Sequence, residues 1–546
     1  MKKNVLALSI TAAVLSLGFA GGAQAITDVG IGSGTAIAVA ANAVGHNLVV
    51  PYYTANGANK TQINIVNSDL NNGKAVKIRF RAASNSDDVF DFQLFLSPGD
   101  VWSGEVSQDA TTGLAKLASG DKSCTKPSIA AATPANLLFK TDRLDNTSPS
   151  ATAATRAAQT REGYVEILTM ADIRPLNHTV DVNGLETILA TANGLFTQIK
   201  HVAGVAPCGT GATAASWTAI DTNTANLTSA ALLGLARPTG TIAANWTILN
   251  TTTSSAYGGQ ATALAITGPA VAVAAPGGTA GLNTGNLTYW PQAPLASSFL
   301  NAGGVVLASV QQTADPLLRT VLATGNPTVA PTMVDLPDLS TPFLGQVAAQ
   351  NAATTGPIAA ANALSAALAK TTVNNEFLTT TAFNASTDWT FSMPSRRYGV
   401  VYNYIAGTAL FNTVLGTDVT TTGTGSNFFQ SGNAVTNTSR RMVCVNNITP
   451  ASYDREETTG STIIFSPAVA PTLCGEVSVL SINNAASLTS NSLLAVNTLN
   501  DVDATYREGW LQVATPGLGA GLPIIGHSYV RAFTGTINIG AAYAHR

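Results

Sequence analysis

Ala75-Val76-Lys77-Ile78-Arg79-Phe80-Arg81 changes character at almost every residue. Val76, Ile78 and Phe80 fall on one side and Lys77, Arg79 and Arg81 on the other, which is the period of a strand rather than a helix. The reading places the apolar set inward and the cationic set outward. Neighbouring stretches repeat the rhythm. Upstream, residues 47–53 form a short apolar run, and Ile63 and Ile65 alternate with Gln62 and Asn64. Downstream, Phe90, Phe92, Leu94 and Leu96 follow a turn at 85–88, and Trp102 and Val106 follow the turn Ser97-Pro98-Gly99-Asp100. Asn71-Asn72-Gly73 reads as hairpin chemistry, since Asn-Gly accepts the positive φ angles of a tight turn. Short strands with turns every ~8–12 residues predict an antiparallel sandwich or barrel sheet.

Strand patterns return at 388–393, 399–405, 440–446, 461–465, 476–482, 509–514, 524–533 and 537–543. Between the two strand-rich parts, residues 128–159 and 203–283 are rich in Ala, Thr, Gly and Pro. Each reads either as a surface excursion or as a repetitive β segment. One helix is expected at 358–370, with Thr355 as cap, Pro357 in the first turn and an extension as far as Leu378. The fold class is therefore mainly β, an antiparallel β-sandwich-like architecture with long Ala/Thr-rich insertions and one Ala-rich helix. The expected layout is a signal peptide at 1–25, an N-terminal antiparallel β module at 26–120, an extended region with insertions and the helix at 121–380, and a C-terminal β region at 381–546 packed on the N-terminal module. Arg161-Glu162-Gly163-Tyr164 and Arg507-Glu508-Gly509-Trp510 echo one another. They suggest two equivalent strands, each entered through a Gly that lets the chain approach a neighbour.

The first 25 residues join a basic start (Lys2, Lys3) to an apolar stretch at 5–20 and the small-x-small sequence Ala23-Gln24-Ala25. That is the pattern of a cleaved secretory signal, and the apolar stretch is shorter than the ~20 residues of a bilayer span. No Cys follows the expected cleavage site, which argues against a lipoprotein anchor. No later run reads as a helical membrane span. Without Lys2 and Lys3 the chain keeps 25 basic residues against 30 acidic ones. That mild acidity argues against nucleic acid, whose phosphates need clustered Lys and Arg. Charged residues are only 10% of the chain, against ~25% in ordinary soluble proteins. The surface is therefore built from Thr, Ser, Asn and Gln, as suits a protein that works outside the cell.

Four cysteines, Cys124, Cys208, Cys444 and Cys474, read as disulfides in an exported chain. The pairing favoured is nearest in sequence, Cys124–Cys208 and Cys444–Cys474. No C-x-x-C spacing supports a metal site.

Several blocks resemble a family of exported proteobacterial proteins that usually carry no name beyond "cell surface protein". The resemblance rests on residues 49–53 and 76–81, Asn85-Ser86-Asp87-Asp88-Val89-Phe90-Asp91-Phe92, Leu96-Ser97-Pro98-Gly99-Asp100-Val101-Trp102, Lys122-Ser123-Cys124, Glu162-Gly163-Tyr164, Asn375-Glu376-Phe377 through Trp389, and Met393-Pro394-Ser395-Arg396-Arg397-Tyr398. It implies a β-rich surface protein and supplies no catalytic residues to carry over.

Catalytic motifs are missing. The five histidines, His46, His178, His201, His527 and His545, are isolated in sequence, without H-E-x-x-H or helical pairing. There is no G-x-S-x-G elbow, and no pair of carboxylates stands out for glycoside cleavage. Gly32-Ser33-Gly34 and Gly423-Thr424-Gly425 lack the Lys and Ser/Thr of a phosphate loop. No cofactor is expected. Calcium is the one ion for which oxygens cluster, at Asn67/Asp69/Asn71 and at Asp87/Asp88/Asp91, neither with EF-hand spacing. Of the tryptophans, Trp102, Trp389 and Trp510 read as core anchors, while Trp217, Trp246 and Trp290 read as exposed candidates for stacking on a glycan.

These observations favour a secreted structural or adhesive protein of the cell surface or exterior of a Gram-negative-type bacterium. Such a protein would associate with itself, forming a layer or filament, or with other surface components. One alternative is an outer-membrane β-barrel, against which stand the few aromatics and the C-terminal Tyr543-Ala544-His545-Arg546. Another is an extracellular hydrolase or glycan-binding protein.

Overall fold

The computed structural model describes residues 26–27, 36–289 and 356–546, with short breaks inside the last two, the longest at 412–427 and 484–493. The expected signal at 1–25, the Gly-rich stretches at 32–34 and 423–425, Trp290 and Thr355 lie outside the described residues.

Sixteen strands carry the architecture, and they form one eight-strand pattern twice. The first set is β1 (Asn47–Thr54), β2 (Asn59–Asn67), β3 (Gly73–Ala82), β4 (Asp88–Leu96), β5 (Val101–Gln108), β6 (Glu162–Ile173), β7 (Ile242–Asn250) and β8 (Ser255–Gln260). The second is β9 (Thr372–Leu378), β10 (Ser386–Ser392), β11 (Thr449–Tyr453), β12 (Thr459–Gly460), β13 (Val477–Asn483), β14 (Glu508–Ala514), β15 (His527–Thr534) and β16 (Ile537–Ala544). In the first unit one sheet runs β1-β6-β3-β4 and the other β8-β7-β2-β5. In the second the orders are β9-β14-β11-β12 and β16-β15-β10-β13, so each strand corresponds to the one eight places later. The twelve pairings among these sixteen strands are all antiparallel; three of the four sheets extend further, and the one that ends at β13 continues with a parallel strand, Asn500–Asp503. None of the described sheets closes into a barrel.

Local chemistry repeats along with the topology. Thr61 Oγ donates to Thr54 O (2.8 Å) and accepts from Thr54 N (2.9 Å). Thr387 Oγ does the same with Leu378 O (2.8 Å) and Leu378 N (3.0 Å). The next residues, Ala55 and Thr379, each donate at 2.7 Å to the carbonyl of the Arg that opens the echoed motif, Arg161 or Arg507. Even the register agrees, Glu162 opposing Thr54 and Glu508 opposing Leu378. The two glycines meet the same requirement: a Cβ on Gly163 would lie 1.7 Å from Arg81 O and one on Gly509 1.9 Å from Tyr453 O. No other residue type fits so close to a neighbouring backbone. Like strands also meet between the units. β8 lies against β16, with Asn538 donating its side-chain amide to Thr253 O, and Trp246 of β7 packs on His527 of β15 with ring centroids 4.9 Å apart.

The expected boundaries near 120 and 380 do not coincide with these sheets. β6, β7 and β8 lie beyond residue 120 yet complete the first unit, and β9 lies before 380 yet belongs to the second. Strands pair by register, so long insertions separate neighbours in the chain without separating them in space. The Ala/Thr-rich stretch at 203–283 is neither a mere excursion nor a uniform repeat. It holds β7, β8 and two short helices, Ala214–Ala219 and Leu227–Leu232. The helix Gly356–Leu368 is present and ends short of Leu378. Thr371, Thr372 and Val373 are β-branched and suit a pleated surface better than a helix, and residues 372–378 are strand β9. Asn71-Asn72-Gly73 makes no hairpin either. Asp69 accepts from the amides of Asn71 (2.8 Å) and Asn72 (3.0 Å), and the turn carries the chain from one sheet, at β2, to the other, at β3.

Val76, Ile78 and Phe80 enter a core with Ile63, Ile65, Trp102 and Trp246 from the facing sheet. Each such side chain contributes about 1.5–3 kcal/mol on burial. The cationic face of β3 is not in water. Lys77, Arg79 and Arg81 are as buried as the apolar set, and the segment Pro394–Tyr398 of the second unit covers the Arg81 end of that face. Glu166 Oε1 accepts from Arg397 at 2.6 Å and Oε2 from Arg81 at 3.2 Å. Arg397 also donates to the Tyr164 hydroxyl and to Pro394 O (3.0 Å). Its neighbour Arg396 pairs with Glu476. Alternation separates two faces of a strand; it does not say that the polar one is wet.

Both disulfides join the expected partners, Cys124–Cys208 across 84 residues and Cys444–Cys474 across 30. Chain entropy assigns closures of those lengths about 4.5 and 3.5 kcal/mol. Guanidinium titrations with and without reductant are expected to differ by several kcal/mol in unfolding free energy. Superimposable curves would remove the disulfides from the stabilising interactions.

Candidate ligand groove

The second unit carries a groove of about 690 Å³ along β9, β14 and β16, within the ~300–1,000 Å³ usual for ligand sites. Trp510 forms one wall. In Glu508-Gly509-Trp510-Leu511-Gln512-Val513, Leu511 and Val513 turn into the core, so Trp510 shares the outer face with Glu508 and Gln512 and remains 38% exposed. Tyr453, opposite it on β11, stacks on the indole with centroids 4.0 Å apart and planes 7° apart. That contact covers one face of the ring and leaves the other to the groove. Glu376 opposes Trp510 from the β9 side, and Arg455 reaches the rim, paired with Glu508 at 3.0 Å. Val530 and Tyr543 form the far wall.

The edge of β9 is closed to another strand. Asn374 exchanges both backbone hydrogen bonds with Arg546 (3.0 and 3.1 Å). Glu376 O accepts from Ser528 Oγ (2.8 Å) and Trp389 Nε1 (3.1 Å), and Leu378 is capped by Thr387. Strand addition needs a free row of amides and carbonyls, so an occupant here must be read by side chains. Those offer a carboxylate, guanidinium groups, an aromatic face and the amide of Asn374, whose Oδ1 has no hydrogen-bond partner among the described residues. Arg455 is already paired with Glu508, and the other charges of the lining, Glu376, Asp454 and Arg546, form no cationic cluster to hold an anion, which suits an uncharged ligand.

In the first unit the equivalent positions are covered. Val49, Tyr52 and Tyr164 correspond to Asn374, Glu376 and Trp510, and all three are buried. Tyr52 packs on Tyr529 of β15, 6.2 Å between centroids. Tyr164 lies under Arg397.

The tryptophan expectations are thus partly reversed. Trp102 and Trp389 are core residues, but Trp510 is exposed and Trp246 is 1% exposed. Trp217 is half-buried, packed on Phe95 with Lys126 Nζ 4.5 Å over its ring. The sequence held the signal for both surprises. Ile242, Ala244, Trp246 and Ile248 share one parity, whereas Trp510 shares its parity with Glu508 and Gln512. Asn374, Glu376, Tyr453 and Arg455 carry no local signal, because only pairing across three strands brings them together.

Other candidates are drawn into the fold. Asp87 accepts from the Tyr404 hydroxyl at 2.6 Å, Asp91 pairs with Lys77, and Asp69 pairs with Lys74 at 3.1 Å. Asn67 Nδ2 donates to Asn72 O (2.8 Å) and Ser97 O (3.0 Å). Among the described residues no group of three or more His, Cys, Asp or Glu forms a metal-holding cluster, and no helix is long and apolar enough to cross a membrane. His527 and His545, far apart in pattern, lie together under Trp389 and Trp246. Burial holds His527 down to about 4 and, with His527 beside it, His545 to about 3. Comparison with protein-family models, with curated proteins and with solved structures finds no match.

Proposed function

We propose that the protein is exported to the cell surface and acts there as an adhesive protein, holding uncharged saccharides in the groove beside Trp510. The half-exposed indole, backed by Tyr453 and flanked by Glu376, Asn374 and Arg455, carries this reading. The C–H face of a pyranose stacks on an indole, and neighbouring hydroxyls pair with carboxylate, amide and guanidinium groups. Two disulfides and a surface with few charges suit an oxidising exterior, as does the signal-like start of the sequence.

Titrating the purified protein with neutral oligosaccharides, with and without calcium, is expected to change tryptophan fluorescence. In Trp510→Ala the affinity should fall about tenfold or more, since aromatic stacking adds ~0.5–1.5 kcal/mol to area burial. A panel in which no saccharide perturbs the fluorescence would refute the saccharide reading. Failure of antibodies to label the protein on intact cells would refute the surface location.

A further inference from the structure

We propose that Lys74 and Asp172 are joined in the mature protein by an amide bond between their side chains. The two residues face one another directly on β3 and β6, and their side chains are 0% and 1% exposed. Lys74 Nζ lies 2.5 Å from Asp172 Oδ1 and 3.1 Å from Asp69 Oδ2. Thr239 completes the cluster. Its amide donates to Asp172 Oδ1 (3.1 Å), and its hydroxyl lies 2.9 Å from Asp172 Oδ2 and 3.1 Å from Asp69 Oδ2.

The parts of a condensation are therefore assembled: an amine, an electrophilic carboxyl, a second carboxylate against the amine, and an N–H aimed at the oxygen where charge develops. An ion pair removed this fully from water loses much of its solvation, and so dry a site favours the neutral form of the carboxyl. Burial raises the proton affinity of Asp172 despite Lys74. Asp69 stays ionised, because Lys74 and the turn amides outweigh its burial and bring it to about 2.

In the step itself the Nζ lone pair attacks Asp172 Cγ, and the oxyanion is held by the Thr239 amide. Asp69 takes a proton from nitrogen and returns it to the departing oxygen, so one C–N bond forms, one C–O bond breaks and one water leaves. Nothing is oxidised or reduced. Lys77, the comparable lysine on β3, meets Asp91, whose side chain is 14% exposed, and so lacks the dry carboxyl.

Intact-mass measurement of the full exported chain after reduction tests the bond. The expected mass is that of the processed sequence less one water. A protease digest should yield a branched peptide linking Lys74 to Asp172. Asp172→Ala and Asp69→Asn are each expected to restore the water. Linear peptides spanning Lys74 and Asp172 at full sequence mass would overturn the proposal. A water loss that persists in Asp172→Ala would overturn it too. Should either variant fail to accumulate, the wild-type peptide map decides alone.

Discussion

Replacement of Arg397 by methionine is expected to cost about 3–5 kcal/mol of unfolding free energy, the usual penalty for removing one partner of a buried ion pair. Glu166 would keep Arg81 but lose its 2.6 Å contact with Arg397, and the Tyr164 hydroxyl would lose its donor. Replacing Glu166 by glutamine should cost at least as much, since Arg81 and Arg397 then share no anion. Their double-mutant cycle should show strong coupling, because the second substitution removes a charge that the first has stranded. Denaturant titrations at neutral pH measure all three. A loss below about 1 kcal/mol for Arg397→Met would mean that the covering segment at 394–398 is loosely held, and with it the docking of the second unit on the first.

Mild acid is the second large perturbation. Burial holds His46 at about 4; His527 sits at about 4 and His545 at about 3. Unfolding returns each to about 6.5. Between those values the unfolded chain binds more protons than the folded one, so stability falls as the pH drops from 6.5 toward 4. Each histidine removes about 2 kcal/mol by pH 5, roughly 6 kcal/mol in all, comparable with the whole stability of many domains. Glu166 does not share this window. Its arginines outweigh its burial and keep it at about 2, so its contribution persists until the pH passes below its unfolded value of about 4.5. Denaturation midpoints at pH 7.5 and pH 5 therefore separate the two groups. Equal midpoints would mean that the three imidazoles reach water in the native state.

Much of the sandwich is legible in local pattern. Two-residue alternation locates β2, β3, β4, β10, β13 and β14 to within a few residues, and the Arg-Glu-Gly echo marks the same central strand in each unit, β6 and β14. The cysteine pairing follows from spacing. What alternation leaves open is the environment of each face. Arg79 and Arg81 read as solvated, yet both are buried, and Arg81 shares Glu166 with Arg397, more than 300 residues away in the chain. Trp510 reads as a core anchor because it lies in a strand pattern, although its parity partners are polar. The groove is less legible still. Glu376, Trp510 and Tyr453 come from three strands, and only register makes them neighbours.

Because β8 meets β16 and β7 meets β15, like strands of the two halves lie against each other, and each half shields the other on that side. Where a further segment covers the repeat, with Tyr164 under Arg397, the outer aromatic position serves packing alone. Where none does, at Trp510, the same position is left among amide, carboxylate and guanidinium groups.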